Sequence, residues 1–357
     1  MIRLYAILIF LASFALYSCA DHDRDILDFS GIEAFYHIAS ILEQDREPDT
    51  EQWDELFSTP GYAVLTDSEF TRDFFIEHFR LALMPSKAME LEKAKEEERV
   101  FPDLIGHYRK AAGQREVVNR YAEELKSDDT QLMARANEKA LAYLPAASAG
   151  DYPRVSFLVF SYDARGYSPI VIDMLLALDL GDMLPLMLAH EFHHYYRNKL
   201  LVYDPREAEE SESDILWVIN QIHSEGIADQ IDKDILMGNQ NSPLYFLSER
   251  WDVMVENAPS YILRMDSLLS TMPYRQAGSI LRQNLPMSGH PVGYYMTGII
   301  IDELGKEELI NKAGNPFAFY SLYNRAAEKA GGDTPIFSEE ALQAINDLEE
   351  KYASKST

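Results

Sequence analysis

A single cysteine, Cys19, in 357 residues leaves no partner for an internal disulfide. Basic side chains are scarce as well: 32 Lys and Arg stand against 59 Asp and Glu, a formal net charge of −27. That balance excludes nucleic acid as a natural partner and disfavours adsorption to anionic lipid through charge. It identifies no substrate, although a basic peptide would be steered in more favourably than an acidic one. No repeats and no low-complexity linker divide the chain. What remains is an ordinary globular composition, 47% apolar, long enough for two lobes or one large elaborated domain.

The longest apolar run is at the N-terminus. Residues 1–18 carry one early cation, Arg3, and an apolar stretch too short for a membrane-spanning helix. The run ends Leu16-Tyr17-Ser18-Cys19, which resembles the bacterial lipoprotein box, cleaved before a lipid-modified cysteine. Asp21 to Asp25 follow, resembling the surface-export signal of Bacteroidetes lipoproteins. Cys19 is therefore the expected lipid anchor, and acyl chains contribute about 0.8 kcal/mol per buried methylene. The expected location is extracytoplasmic, in the bacterial cell envelope, lipid-anchored to the outer membrane or cell surface.

His190-Glu191-Phe192-His193-His194 reads His-Glu-x-x-His. Residues four apart share a helical face, so His190 and His194 can bind one metal ion while Glu191 holds a water beside it. Zinc, Zn2+, suits imidazole nitrogens and a site with three protein ligands and an open position. Asp182 and Pro185 suit the start of a helix, the run Leu186 to Ala189 buries it, and Tyr195, Tyr196, Arg197 and Lys199 are expected to lead it to solvent.

A third ligand is expected from residues 214–236, which have helical periodicity. Glu225 falls on or beside their apolar stripe, and a buried carboxylate needs a partner or a metal. Gly226 beside it implies a close helix contact, expected with the His-bearing helix, since glycine costs about 1 kcal/mol in a helix. Asp229, one turn on, can accept a hydrogen bond from the non-ligating nitrogen of a zinc histidine. His223, Glu210 and Glu212 are the rivals for the ligand position; the two glutamates lie in a solvated acidic loop.

His190-Glu-x-x-His194 followed by Glu225-Gly-Ile-Ala-Asp229 resembles the gluzincin branch of zinc metallopeptidases, and Tyr295-Met-Thr-Gly298 resembles the Tyr-x-x-Gly segment of its aminopeptidase-like members. The likeness covers roughly residues 150–305. It is nearest to the zinc-dependent peptidases of bacterial lipoproteins of the DUF5700 or DUF2268 kind. It implies a thermolysin-like zincin core, with zinc on His190, His194 and Glu225 and Glu191 as general base. A further donor, Tyr295 or its neighbours Tyr294 and His290, would stabilise the oxyanion. No glycine and third histidine follow His194 at metzincin spacing, and no Gly-Ala-Met-Glu-Asn segment supports aminopeptidase specificity.

Arg154–Ser161 and Ser168–Asp173 read as short strands with Asp163–Gly166 as the turn between them. They form either an edge along which a peptide adds or a hairpin over the core. Helical patterns cover Gly31–Gln44, Asp67–Leu83, Ser86–Val100, Arg115–Ala142 and most of 304–357. Glu90–Arg99 is expected as a solvated helix face and Pro145–Pro153 as a junction. The expected class is α+β and predominantly helical, with a short antiparallel sheet beside the zinc helix. Its organisation is a signal peptide (1–18), a helical N-terminal region (19–150), a zinc metallopeptidase core (151–305) and a C-terminal helical region (306–357). The expected partners are a peptide or protein substrate and a membrane reached through the lipid. Alternatives are an inactive zincin-like lipoprotein acting in binding or scaffolding, against which Glu191 argues, a metallohydrolase of other substrates, and a helical surface lipoprotein without metal.

Overall fold

The structure, a computed structural model, describes residues 26–148 and 150–353. Cys19, the leader and residues 354–357 lie outside the described residues. The described chain is predominantly helical with one small sheet. Strand β1 (Leu27–Asp28) leads into helices α1 (Ser30–Leu42), α2 (Thr50–Ser58), α3 (Pro60–Ser68), α4 (Arg72–Leu83), α5 (Ala88–Glu96), α6 (Pro102–Gly113), α7 (Arg115–Ser127) and α8 (Asp129–Leu141). Strands β2 (Val155–Leu158), β3 (Ala164–Arg165) and β4 (Ile170–Asp173) follow, then α9 (Met174–Leu180), α10 (Leu184–Asn198) and α11 (Ser213–Gly238). The remainder is α12 (Ser248–Glu256), α13 (Ala258–Thr271), α14 (Tyr274–Asn284), α15 (His290–Leu304), α16 (Lys306–Ile310), α17 (Pro316–Ala330) and α18 (Glu339–Tyr352).

The expected antiparallel sheet is instead mixed, in the order β1-β2-β4-β3. β2 and β4 run parallel, with Val155 opposite Ile170 and Leu158 opposite Asp173. The segment read as a turn contains β3, which pairs antiparallel with β4 at the sheet edge. Burial explains the arrangement: all residues of β2 and β4 are buried, as in parallel strands covered on both faces. β1 comes from the N-terminal region and pairs with β2, tying that region to the strand-bearing core.

Two further expectations differ in detail. The pattern over 115–142 divides into α7 and α8 at Asp128, whose backbone is non-helical, and α2, α3 and α6 complete the helical N-terminal region. At the start of α10 the cap residue is Met183 without a side-chain cap, so Asp182 does not cap the helix; Pro185 occupies its first turn. α11 is the central element, packed against α10, α14, α15 and α17. Among the described residues no helix is long and apolar enough to cross a membrane.

Candidate metal centre

α10 and α11 carry the expected residues, and they converge. The Nε2 atoms of His190 and His194 lie 3.0 Å apart. Glu225 Oε2 is 3.4 Å from the first and 3.1 Å from the second. His190 and Glu191 are buried, and His194 and Glu225 are nearly so.

The outer edges of the imidazoles are fixed by partners that the sequence reading assigned differently. His190 Nδ1 donates to Asp232 at 3.1 Å, while Asp229 is 3.7 Å from it. Asp229 instead accepts from His290 Nδ1, at 2.9 and 3.0 Å to its two oxygens. His194 Nδ1 meets the Ser224 hydroxyl at 2.9 Å. Lys233 Nζ joins the two aspartates, 3.2 Å from Asp229 and 2.9 Å from Asp232. Asp232 and Lys233 were missed. Their signal was spacing, since Glu225, Asp229 and Asp232 at i, i+4 and i+7 form one stripe on α11.

Gly226 has its close approach, though not to α10. A Cβ on Gly226 would stand 2.6 Å from the Gly293 Cα, and one on Gly293 would stand 2.7 Å from the Gly226 Cα. Thr297 adds a hydrogen bond to the Gly226 carbonyl at 2.9 Å. The paired glycines press α15 onto α11, and this crossing brings His290 to within 3.5 Å (Nε2) of Glu225 Oε2.

Tyr295, five residues past His290, is turned about 140° around the helix. It packs partly buried against the core and is not among the residues lining the cleft. Tyr294 bonds to Asp234 and stacks edge-on against Trp251. Of the three oxyanion candidates, only His290 lines the cleft. The rivals for the third ligand are engaged elsewhere: His223 is held by Arg197 and the Lys312 carbonyl, Glu210 pairs with Arg275, and Glu212 with Lys351. Arg197, expected near solvent, is fully buried and bonded to Ala313, Asn220 and His223. His193 is also buried, with neither ring nitrogen hydrogen-bonded, and burial holds its pKa well below the usual imidazole range.

The donors fit a divalent cation. Glu225 Oε2 is buried without a hydrogen-bond partner, although two imidazole nitrogens lie close to it. Because carboxylates take the Nδ1 protons of His190 and His290, their Nε2 atoms present lone pairs to the same small volume. Lys233 pairs with Asp229 and Asp232, whereas the Glu225 carboxylate faces the imidazoles of His190, His194 and His290. His190, Glu225, Asp229 and His290 also offer atoms within 4.8 Å of one another. Asp229 touches the Nδ1 edges, however, so it supports a ligand from behind. Burial works against charge on His190 and His290, yet Asp232, Asp229 and Glu225 outweigh it and raise both pKa values. Burial likewise raises the Glu191 carboxyl, with His190 and His194 opposing.

The cluster opens into a cleft of about 1000 Å³ whose lining includes Tyr162, Tyr167, Trp217 and Phe246. β3 borders it, and a Cβ on Gly166 would stand 2.9 Å from Glu191 Oε2. Arg165 is held against Glu69 at 2.7 and 2.9 Å, which fixes that edge.

A family model described as "Putative zinc dependent peptidase (DUF5700)" matches residues 53–332. No curated protein and no solved structure matches the chain. With most of its length matched, the chain belongs to that family, and the match takes in α3 to α8 of the N-terminal region as well as the residues of the candidate metal centre.

Proposed function

We propose that the chain is a gluzincin-type peptidase on a lipid anchor at the cell envelope, with zinc held by His190, His194 and Glu225. The convergence of the two Nε2 atoms and the orphaned Glu225 oxygen carries the reading. Bound there, zinc supplies Lewis acidity: it lowers the pKa of water in its coordination sphere and polarises a carbonyl.

The chain's residues do the rest. Glu191 takes a proton from the attacking water as general base and delivers it to the leaving nitrogen. Its burial keeps the carboxyl above the ordinary glutamate range, which suits a group that must both accept and return a proton near neutral pH. Asp232 and Ser224 orient His190 and His194. Among the described residues β3 has an unpaired outer edge beside Glu191, so an extended peptide can align there through main-chain hydrogen bonds. The aromatic side chains of the cleft favour bulky apolar residues near the scissile bond. Anchoring through Cys19 is proposed from the leader alone.

The test is Glu191→Gln in the full chain, assayed against a broad peptide library. Zinc content should be unchanged, while hydrolysis should fall by about 10²–10⁴-fold. A variant that cleaves as fast as wild type refutes Glu191 as the base.

A further inference from the structure

From the geometry we infer that His290 is a fourth protein ligand of the metal, making the resting centre His190, His194, Glu225 and His290. The inference rests on the zinc reading above. Tetrahedral zinc with bonds of about 2.0–2.2 Å sets its ligand atoms ~3.3–3.6 Å apart. The separations at this centre run close to that: 3.0 Å for His190 to His194, 3.1 Å and 3.4 Å from these to Glu225. His290 Nε2 stands 3.5 Å from the same Glu225 oxygen. Its ring lies nearly parallel to His190, with centroids 5.8 Å apart.

Two independent features aim His290 at this point. The Asp229 carboxylate takes the Nδ1 proton with both oxygens, which leaves Nε2 as a lone-pair donor directed toward Glu225. The chain also reaches His290 through a costly backbone. Met287, Ser288 and Gly289 are all left-handed, with φ of 39°, 52° and 101°. Non-glycine residues are strained in that region and persist there where the surroundings impose it. Here the turn delivers His290 at the first residue of α15, and Gly289 runs against the α11 backbone, where a Cβ would stand 3.0 Å from Ile222 N.

A centre filled by four protein groups has no vacant tetrahedral position. Hydrolysis then needs either a fifth position or withdrawal of His290. His290 is the ligand that can move, since its side chain is 23% exposed against 4% for His190.

X-ray absorption of the zinc-loaded full chain counts the imidazoles directly. Three are expected; two would overturn the inference while leaving the zinc peptidase reading intact, whereas failure of the wild type to bind zinc removes that reading itself. Zinc affinity, from competition with a chromogenic chelator, gives a second readout. His290→Ala should weaken binding by more than about 100-fold, beyond the 10–100-fold expected of a partner that only orients a ligand. Asp229→Asn should fall within that smaller range. Equal affinity for wild type and a folded His290→Ala overturns the assignment, and so does an unchanged visible spectrum of the cobalt-substituted proteins.

Discussion

Gly226 and Gly293 meet backbone to backbone, and no side chain separates α11 from α15 at their crossing. The contact is what lets one helix supply Glu225 while the next supplies His290 to the same point. Gly226→Ala should therefore do two things. Overpacking costs about 1–3 kcal/mol, of which a gain in helix propensity of about 1 kcal/mol offsets only part. Thermal unfolding should shift down by a few degrees, and zinc affinity should fall because His290 moves outward. An unchanged melting temperature would mean that the crossing relaxes freely.

Asp232→Asn is expected to weaken zinc binding by about 10–100-fold, since the carboxylate fixes the His190 ring and its tautomer. Competition with a chelator measures this. Loss of affinity in Asp229→Asn but none in Asp232→Asn would reverse the roles assigned to the two carboxylates.

The Lys233 ammonium sits between two buried aspartates, Asp229 and Asp232. Removing one partner of a buried pair costs about 3–5 kcal/mol, so Lys233→Met should lower denaturant stability by that order in metal-free protein. A neutral effect would show that the aspartates accept protons at little cost.

Zinc and protons compete for the same rings. His190 and His290 have raised pKa values in the metal-free fold. Their stabilisation of that fold is complete below the ordinary imidazole pKa of about 6.5 and is lost as pH rises through the raised values. Zinc binding requires the deprotonated rings. The zinc-induced rise in melting temperature should accordingly be small at about pH 5.5 and grow toward about pH 8. A rise that shrinks with increasing pH contradicts histidine ligation.

Tyr295→Phe should leave kcat/KM within about two-fold of wild type, because the ring lies on the far side of α15 from the cleft. A loss of 100-fold would require the helix to turn in the working enzyme.

Much of the centre was legible in the sequence. Spacing along two helices was enough to pick His190, Glu191, His194 and Glu225, because a helix converts separation in sequence directly into a shared face. What depended on the third helix was legible only in part, since His290 stood among three oxyanion candidates and spacing did not single it out. Tyr-x-x-Gly pointed to Tyr295, whereas the side chain that reaches the cleft is His290 at the start of the same helix. Its placement depends on the left-handed turn at Met287–Gly289 and on the Gly226–Gly293 crossing. Gly226 signalled a close contact without naming the partner. The parallel pairing of β2 and β4 was readable in principle from their apolar runs, Phe157 to Phe160 and Ile170 to Ile172, where a half-exposed hairpin would alternate.

The most direct measurement is metal analysis of the purified full chain. Wild type and Glu191→Gln should each retain stoichiometric zinc after dialysis, and the double substitution His190→Ala with His194→Ala should retain none. Wild-type protein that holds no zinc, or a double variant that holds as much as wild type, contradicts a metal centre between α10 and α11.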